Sequence, residues 1–485
     1  MKFKLKNTLA GAALASLTLV SCSKYLDVNT DPNNPTDVPP KTILPVTTMS
    51  MAFANSNELS KAAAHLMQYS AGISGTAYAY DKWNIGSMDN QWNGEVFGGS
   101  LNNINILIDK TNALSPAYAG IAKLQKAYVI AMATDLWGDI PYTQAGRGLE
   151  FPTPVFEAQQ DIYLGNSSKG IQSLFNLVRE GLADLTKTTA LTPTTDDLVY
   201  GGTIAKWTRF GNSLLLKFAL QVSNVAPDTT KSVINSVLSS SAPYIDAATY
   251  DYNVPYTTAN PNAYYVQDFA GSITGTQMLS ARFLSFMRTQ NDTVRLAKYF
   301  TKPNGVFTAY DNGSPFAAPT PAGNRSVYGT FVVGTSGDVP VRLLSSYQVS
   351  FILAEAALRF GTAGDPNTLY QAGIKAAMKA AGLTDAEITT YFNDNPSIVT
   401  LSGTTADKLK QIITQKYISL VNNAYEAYND FRRTGYPALT IPLTTEGDDP
   451  NTMPRRYPYV SSESNANPNQ PNPRPLTNVK VWWAL

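Results

Sequence analysis

Histidine and cysteine are almost absent from this chain of 485 residues, which contains one of each. A zinc site built on two or three histidines is therefore excluded. A Ser-His-Asp triad would have to use His65, yet no Gly-x-Ser-x-Gly elbow is present. His65 lies in a helical pattern beside Ala62 and Met67, so we interpret it as a structural residue. The phosphate-binding loops of Walker A and Gly-x-Gly-x-x-Gly type are missing as well, and we expect no cofactor.

Charge is also scarce, because Asp, Glu, Lys and Arg together make up only 15% of the chain. The net charge of +1 becomes −2 if Lys2, Lys4 and Lys6 are lost with a leader segment. Nothing in this balance attracts a phosphate backbone, so nucleic-acid binding has no electrostatic basis. Hydrophobic residues at 44% are enough for one large core.

The only long apolar run lies near the N-terminus, from Thr8 to Val20, directly after the three lysines. A basic stretch followed by an apolar run too short to span a bilayer predicts a secretory signal. The residues that follow, Leu19-Val20-Ser21-Cys22, are similar to the bacterial lipobox, in which the cysteine is acylated. We therefore expect a removed lipoprotein signal peptide (1–21), a lipidated tether (22–45) anchored at Cys22, and one ligand-binding domain (46–485). Several acyl chains would hold the protein to a membrane permanently.

The predicted tether is rich in proline and in Asx residues. Asp27, Asn29, Asp31 and Asn33 alternate like the first ligands of a calcium loop, but the glycine and the final glutamate of an EF-hand are missing. We favour a turn-rich tether over a calcium site.

Most of the remaining chain shows helical periodicity. One stripe comprises Ile121, Leu124, Tyr128, Met132 and Leu136; others begin near residues 57, 171, 207, 277, 349 and 367. Thr384 and Glu387 form a capping-box pattern, and a long helix is predicted from Thr405 to Gly435. Strand signals are few and short. The sequence predicts a mainly α protein with long elaborated loops.

Several motifs occur in a fixed order along the chain. They are the lipobox with the Asp-Val-Asn-Thr-Asp-Pro stretch after it, Asp135-Leu-Trp-Gly-Asp-Ile-Pro-Tyr142, Tyr347 to Ala356, Glu426 to Pro437, Met453 to Pro458, and Trp482-Trp483. This ordered set resembles the SusD/RagB family of outer-membrane nutrient-binding lipoproteins, in particular its SusD-like subgroup.

The resemblance implies an α domain built on helix pairs of tetratricopeptide type. It also implies a surface-exposed, non-catalytic protein that captures oligosaccharides, or in some members peptides. The implied partner is a TonB-dependent outer-membrane barrel of the SusC type, over which the lipoprotein sits as a lid. We interpret the motif residues as structural: Trp137, Asp139 and Tyr142 end a helix, Arg432 and Arg433 pair with Asp430 or Glu426 and with carbonyls, and Trp482 and Trp483 hold the C-terminus to the core.

Two irregular segments carry the residue types that sugar binding requires, which are flat aromatic rings and side chains that hydrogen-bond hydroxyl groups. The first segment supplies Tyr78, Tyr80, Asp81, Trp83, Asn90 and Trp92, and the second supplies Tyr264 and Tyr265. Irregular spacing with polar residues between the aromatics favours a surface platform. The alternative is that these rings pack the core beneath the loops.

Two other functions stay open from the residues alone. A glycoside hydrolase needs only two carboxylates, which 36 acidic residues can supply. A structural or adhesion protein would need no small ligand at all.

Overall fold

Helices dominate the computed structural model, which describes residues 38–240, 242–270 and 274–485. The α-helices are α1 (Pro40–Ser56), α2 (Glu58–Leu66), α3 (Gly75–Asp81), α4 (Asn102–Thr111), α5 (Pro116–Trp137), α6 (Gln159–Leu164), α7 (Leu174–Asp184), α8 (Ile204–Gln221), α9 (Pro227–Ser239), α10 (Ala263–Tyr265), α11 (Ala281–Thr289), α12 (Thr293–Tyr299), α13 (Thr330–Val333), α14 (Ser346–Phe360), α15 (Pro366–Ala380), α16 (Asp385–Asp394), α17 (Pro396–Val399), α18 (Thr405–Ser419), α19 (Ala424–Thr434) and α20 (Ser461–Ala466). The strands are β1 (Ser70–Gly72), β2 (Tyr252–Val254), β3 (Gln277–Leu279) and β4 (Val341–Leu344). Two π-helical segments, Gln91–Leu101 and Val266–Ala270, accompany them. The predicted mainly α fold with few short strands is confirmed.

The first helix begins earlier than the sequence suggested. We placed residues 40–45 in the tether, but α1 starts at Pro40 and already buries Leu44. Its polar residues are buried too, because α5 offers partners: Thr47 Oγ1 donates to Gln125 Oε1 at 2.8 Å, and Asn55 Nδ2 donates to the Tyr128 hydroxyl at 3.0 Å. The predicted signal peptide, Cys22 and most of the tether lie outside the described residues.

Successive helices pack as neighbouring pairs, and glycines allow the closest approaches. A Cβ on Gly120 of α5 would lie 2.7 Å from the carbonyl oxygen of Gly181 in α7. A Cβ on Gly211 of α8 would lie 2.6 Å from the Leu182 side chain. The backbones of α5, α7 and α8 can therefore come together only because these positions carry no side chain. α14 and α15 pack as a further pair along the chain.

The helix predicted from Thr405 to Gly435 is in fact two helices. α18 ends at Ser419, and α19 begins at Ala424 after a turn at Leu420–Asn423. The side chain of Asn423 leaves the helical path and donates to the carbonyl of Arg342 at 3.1 Å. This tertiary contact holds the turn that separates the two helices. The capping box of Thr384 and Glu387 is present as predicted, at the start of α16.

The family motifs form a buried polar network, as predicted. Trp137 ends α5, and Gly138 follows with φ of +84°. Asp135 accepts hydrogen bonds from the Tyr425 hydroxyl at 2.9 Å and from Trp483 Nε1 at 2.9 Å. The fully buried Trp483 therefore fixes the C-terminus to the core.

The arginines of α19 complete this network. Arg433 Nη2 donates to Glu355 Oε2 at 2.7 Å and to Asp430 Oδ1 at 2.8 Å. Arg432 Nη1 donates to the carbonyls of Asp135 and Arg455 at 2.6 and 3.0 Å. The predicted pairing with Asp430 and with carbonyls is confirmed, and Glu355 is an additional partner.

The two small sheets connect distant parts of the chain. β1 pairs antiparallel with β3, with Ala71 opposite Met278, and β2 pairs antiparallel with β4. The β1–β3 pair brings the segment around Tyr78 next to the segment before α11. Within the described ranges, no helix is both long enough and apolar enough to cross a bilayer.

Candidate functional site

The two segments predicted to bind a ligand meet at the start of α2. Glu58, the first residue of α2, accepts a hydrogen bond from the Tyr80 hydroxyl at 2.7 Å and from Gln267 Nε2 at 3.3 Å. One turn away, the hydroxyls of Ser60 and Tyr264 lie 3.0 Å apart. The grouping of the two segments is therefore a product of the tertiary structure.

Helical structure continues into both segments, although the sequence suggested irregular loops. The first contains α3 and the π-helix Gln91–Leu101, and the second contains α10 and the π-helix Val266–Ala270. In the longer π-helix, a Cβ on Gly98 would lie 2.5 Å from the carbonyl oxygen of Asn93, so the backbone is too close there for a side chain. π-helical segments are rare overall, but those that do occur are often found at functional sites.

Asp81 is the structural centre of the first segment and is not available to a ligand. Its carboxylate accepts from the backbone N–H of Gly72 at 2.7 Å, from Asn312 Nδ2 at 2.8 Å and from the N–H of Gly313 at 3.2 Å. It also contacts His65 Nδ1 at 2.7 Å. The prediction that Asp81 contacts a ligand is wrong, because its buried carboxylate is already used to join α2, β1 and the loop after Tyr310. The structural role expected for His65 is confirmed.

Four of the predicted aromatic residues are core residues. Tyr80, Trp83, Trp92 and Tyr264 are all buried, with at most 4% of each exposed. The Trp92 ring stacks on Phe156 at a centroid distance of 6.0 Å, and its Nε1 donates to Glu463. The Tyr264 hydroxyl donates to the carbonyl of Asn422 at 2.9 Å. The expectation of a surface platform is wrong for these four, because burying their large rings gains more than exposing them.

Other predicted residues do reach the surface. Asn90 is exposed, and Tyr78 is half-buried with the Lys82 ammonium 4.2 Å from its ring centroid. The half-buried Tyr265 stacks on Phe269 at 5.6 Å, with an angle of 17° between the rings. Phe269 is 38% exposed. Phe269 is therefore the more accessible ring of this pair.

Trp83 adopts a backbone conformation that is unusual for a large side chain. The helix α3 ends at Asp81, and Trp83 follows the cap with φ of +68°. Its N–H donates to the carbonyl of Tyr80, and the N–H of Asn84 donates to the carbonyl of Ala79 at 3.0 Å. These two bonds form a Schellman turn, in which the left-handed position is usually glycine. A tryptophan there costs about 1 kcal/mol, and such strain clusters at functional sites.

Cavities lie on both sides of Trp83. One, of about 260 Å³, is bordered by Trp83, residues 84–87, residues 446–448, Pro458, Tyr459, Ser461, Arg474 and Thr477. The other, of about 220 Å³, is bordered by Trp83, Phe431, residues 439–441, residues 451–453 and Arg455. We call these two cavities and Trp83 the Trp83 groove. A third cavity, of about 420 Å³, adjoins the groove at Leu439 and Thr440.

The segment that follows α19 forms the wall of the groove. Arg282 holds this wall, because its Nη1 donates to the carbonyls of Thr440 and Ile441, each at 2.8 Å, while its Nε donates to Asp311 at 2.6 Å. Farther along, Glu446 pairs with Lys82. Trp83 was the only predicted residue in this groove, and no sequence signal pointed to the segment 438–455 as its wall.

Comparison with known proteins identifies the family of this chain. Residues 32–460 match the model of a SusD-like family that is described as starch-binding and associating with the outer membrane. The chain belongs to the SusD-like family. A comparison with curated proteins finds no match.

Solved structures show that the fold is shared. A chitin-binding protein superposes with a TM-score of 0.77 and 22% identity, covering 92% of this chain and 100% of the other. A chitin-binding SusD homologue from Flavobacterium johnsoniae gives a TM-score of 0.76 and 21% identity over 91% and 98% of the two chains. A SusD homologue from Bacteroides uniformis gives 0.74 and 23% over 91% and 99%.

Proposed function

We propose that this protein is a surface-exposed, non-catalytic binding lipoprotein that captures oligosaccharides and delivers them to a TonB-dependent outer-membrane transporter of the SusC type. The observation that carries the proposal is the Trp83 groove, in which a strained aromatic residue lies between two open cavities in a member of the SusD-like family. Two proteins of similar structure bind chitin, and the family is described as starch-binding, which supports the same class of ligand.

The carboxylates around the groove favour binding over hydrolysis. A glycosidase needs a general acid with a raised pKa. Hydrogen bonding to Lys82 instead lowers the pKa of Glu446. Asp448 accepts from the N–H and hydroxyl of Thr477 at 2.6 and 2.7 Å, and Asp311 is paired with Arg282. The carboxylates of all three acids are therefore already engaged by donors of the protein itself.

The accessible predicted residues extend this proposal beyond the groove. Tyr78, Asn90 and Tyr265 would contact the same oligosaccharide where it leaves the groove, and the exposed ring of Phe269 would add to them. One aromatic ring stacked on a sugar contributes only about 1 kcal/mol, so each contact is weak. Tight capture would come from closure of the transporter and its lid around the ligand. The lipid on Cys22 would keep the lid at the outer membrane.

The binding proposal is tested by calorimetry with the detergent-solubilised lipoprotein and with chitin oligosaccharides, malto-oligosaccharides and a mixed peptide library. We expect one of the saccharide series to bind and Trp83→Ala to weaken it about fivefold, the equivalent of about 1 kcal/mol. Trp482→Ala is the matched control, since Trp482 is half-buried against Tyr163 at the C-terminus. Wild-type affinity in Trp83→Ala, binding of peptides alone, or release of reducing ends would contradict the proposal.

The delivery proposal is tested by co-purification. Outer membranes are solubilised in mild detergent, the tagged lipoprotein is isolated, and its companions are identified by mass spectrometry. We expect a TonB-dependent barrel in near-equal amount. Recovery of the lipoprotein alone, even after gentle crosslinking, would contradict the delivery role and indicate a free-standing binding protein.

A further inference from the structure

The smaller cavity of the Trp83 groove has an unusual charge arrangement. Its lining contains one charged residue, Arg455, and no carboxylate. We call it the Arg455 cavity. Trp83, Phe431 and Met453 give it apolar walls, while Thr440, Asn451 and Thr452 supply hydroxyl and amide groups. An apolar enclosure with one cation and a few polar groups is a typical small-molecule site.

The Arg455 guanidinium has no hydrogen-bond or ion-pair partner among the described residues. Its contact is with the ring of Phe431, whose centroid lies 5.1 Å from its central carbon. Burial lowers the pKa of Arg455, Tyr428 opposes this shift, and the neighbouring Arg432 adds to it. A half-buried guanidinium beside another cation is therefore left without compensation. An anion in the cavity would provide it.

Trp83 contributes a second unused donor. Only 4% of this residue is exposed, yet its indole N–H donates to no atom in the described part of the chain. The other large buried indoles are all paired: Trp92 with Glu463, Trp137 with the carbonyl of Pro458, Trp207 with Asp197, and Trp483 with Asp135. The indole N–H is therefore free to donate to a bound group. Of the two cavities that Trp83 borders, the smaller one is also bordered by the unpaired arginine.

We propose that the Arg455 cavity binds the carboxylate of a uronic acid residue within an oligosaccharide, with Arg455 and the Trp83 indole N–H as its donors. This inference rests on the proposed function, whose ligand it restricts to acidic glycans. A volume of about 220 Å³ is below that of sites for drug-sized ligands, so one sugar ring is the suitable size. A peptide C-terminus is the less suitable anion, because such carboxylates are captured by backbone nests, whereas the unused donors here are side chains.

The test compares two ligands that differ only in charge, a trisaccharide ending in glucuronic acid and its methyl ester. Calorimetry with the solubilised lipoprotein measures both, and ¹⁹F spectra of the fluorotryptophan-labelled protein report on Trp83, whose signal is assigned by its loss in Trp83→Phe. We expect the acid to bind at least tenfold tighter than the ester and to shift the Trp83 signal.

Arg455→Met should bring the two affinities within twofold of each other. Arg288→Met is the control, since Arg288 is exposed, borders neither cavity of the groove and should leave the tenfold difference intact.

The outcomes separate this inference from the proposed function. Equal affinities for acid and ester, or a preference that survives Arg455→Met, would overturn the acidic-glycan assignment. So would binding of neutral oligosaccharides alone, and in that case the proposed function would stand. If no saccharide binds and a peptide with a free C-terminus does, both proposals fail.

Discussion

Two arginines of this protein, Arg433 and Arg455, have opposite surroundings. Arg433 is buried in the helix-pair region, between the carboxylates of Glu355 and Asp430. Arg455 is half-buried in the Trp83 groove and faces no carboxylate. A buried charge costs several kcal/mol unless it is paired, so a fold normally completes such pairs itself. The first region is complete within the chain, whereas the second would be completed by the anionic ligand that we propose.

Breaking the complete region should have the largest effect on stability. Arg433→Ala removes the bidentate partner of the fully buried Glu355, leaving Arg359 as its remaining cation. We expect the free energy of unfolding to fall by about 3–5 kcal/mol, because the carboxylate loses its main compensation. Urea unfolding measures this change. Arg288→Ala is the control, since Arg288 is exposed and its removal should have almost no effect; an equal loss in both variants would disprove the comparison.

A buried acid of the second candidate segment, Asp268, should make stability depend on pH. Burial raises the pKa of Asp268 to about 6, although Gln277, Lys61 and His65 oppose the shift and Glu58 adds to it. In the unfolded chain this carboxyl has a pKa near 3.8, so between about pH 4 and 6 it is ionised when the chain is unfolded but still protonated when it is folded. The free energy of unfolding therefore falls as the pH rises through this range. Two pKa units correspond to about 2.7 kcal/mol as an upper bound. We expect Asp268→Asn to remove most of this decline.

The measurement for Asp268 is urea unfolding at pH 4, 5, 6 and 7. Glu355 is the matched comparison, because burial would raise its pKa but Arg433 and Arg359 lower it to about 2. Its contribution is therefore present above about pH 4.5 and is lost as the pH falls toward 2. A wild-type curve and an Asp268→Asn curve of identical slope between pH 4 and 6 would refute the raised pKa.

Asp81 tests whether the groove depends on its structural anchor. Asp81→Asn keeps the size of the side chain but replaces one acceptor oxygen with a donor that faces the N–H groups of Gly72 and Gly313. Hydrogen bonds to a charged group contribute about 1.5–3 kcal/mol, and we expect a loss of about 2 kcal/mol. Saccharide binding should weaken at the same time, because α3 and Trp83 lose their attachment to β1. Full affinity in a destabilised variant would show that the groove is positioned by other contacts.

The smallest effect is expected at the exposed end of the groove. Lys82→Met removes an ammonium that pairs with Glu446 and lies over the Tyr78 ring. Since Glu446 is half-exposed, solvent already screens the pair, and the loss of stability should be roughly a fifth of that in Arg433→Ala or less. The same urea titration gives the answer. If Lys82→Met lowered the free energy of unfolding as much as Arg433→Ala does, solvent exposure would not account for the difference between the two ion pairs.

Some of this architecture could be predicted from local patterns. The apolar stripe from Ile121 to Leu136 predicts a buried helix, and α5 has that position and that burial. Thr384 and Glu387 predict a capping box because both bonds lie within one turn. α1 could not be predicted in this way, since its buried face carries Thr47 and Asn55, whose partners lie on α5.

The candidate site shows the same limit. The mixture of aromatic and amide residues from Tyr78 to Trp92 pointed to the segment that contains Trp83, but spacing alone did not separate core rings from accessible ones. Tyr80 and Trp92 are buried because Glu58 and Glu463 satisfy their polar atoms from other elements. The wall of the groove begins some 350 residues after Trp83 and was invisible to any local pattern.

The sequence by itself determined the helical class, the helix ends with strong local caps, and, through its ordered motifs, the family. These features depend on interactions within a few residues or on motifs that can be compared directly. Only the tertiary structure decided which aromatic rings are buried, which charges find partners, and where the cavities lie. Burial and pairing depend on residues that are hundreds of positions apart, and their energies follow from distances that exist only once the chain has folded.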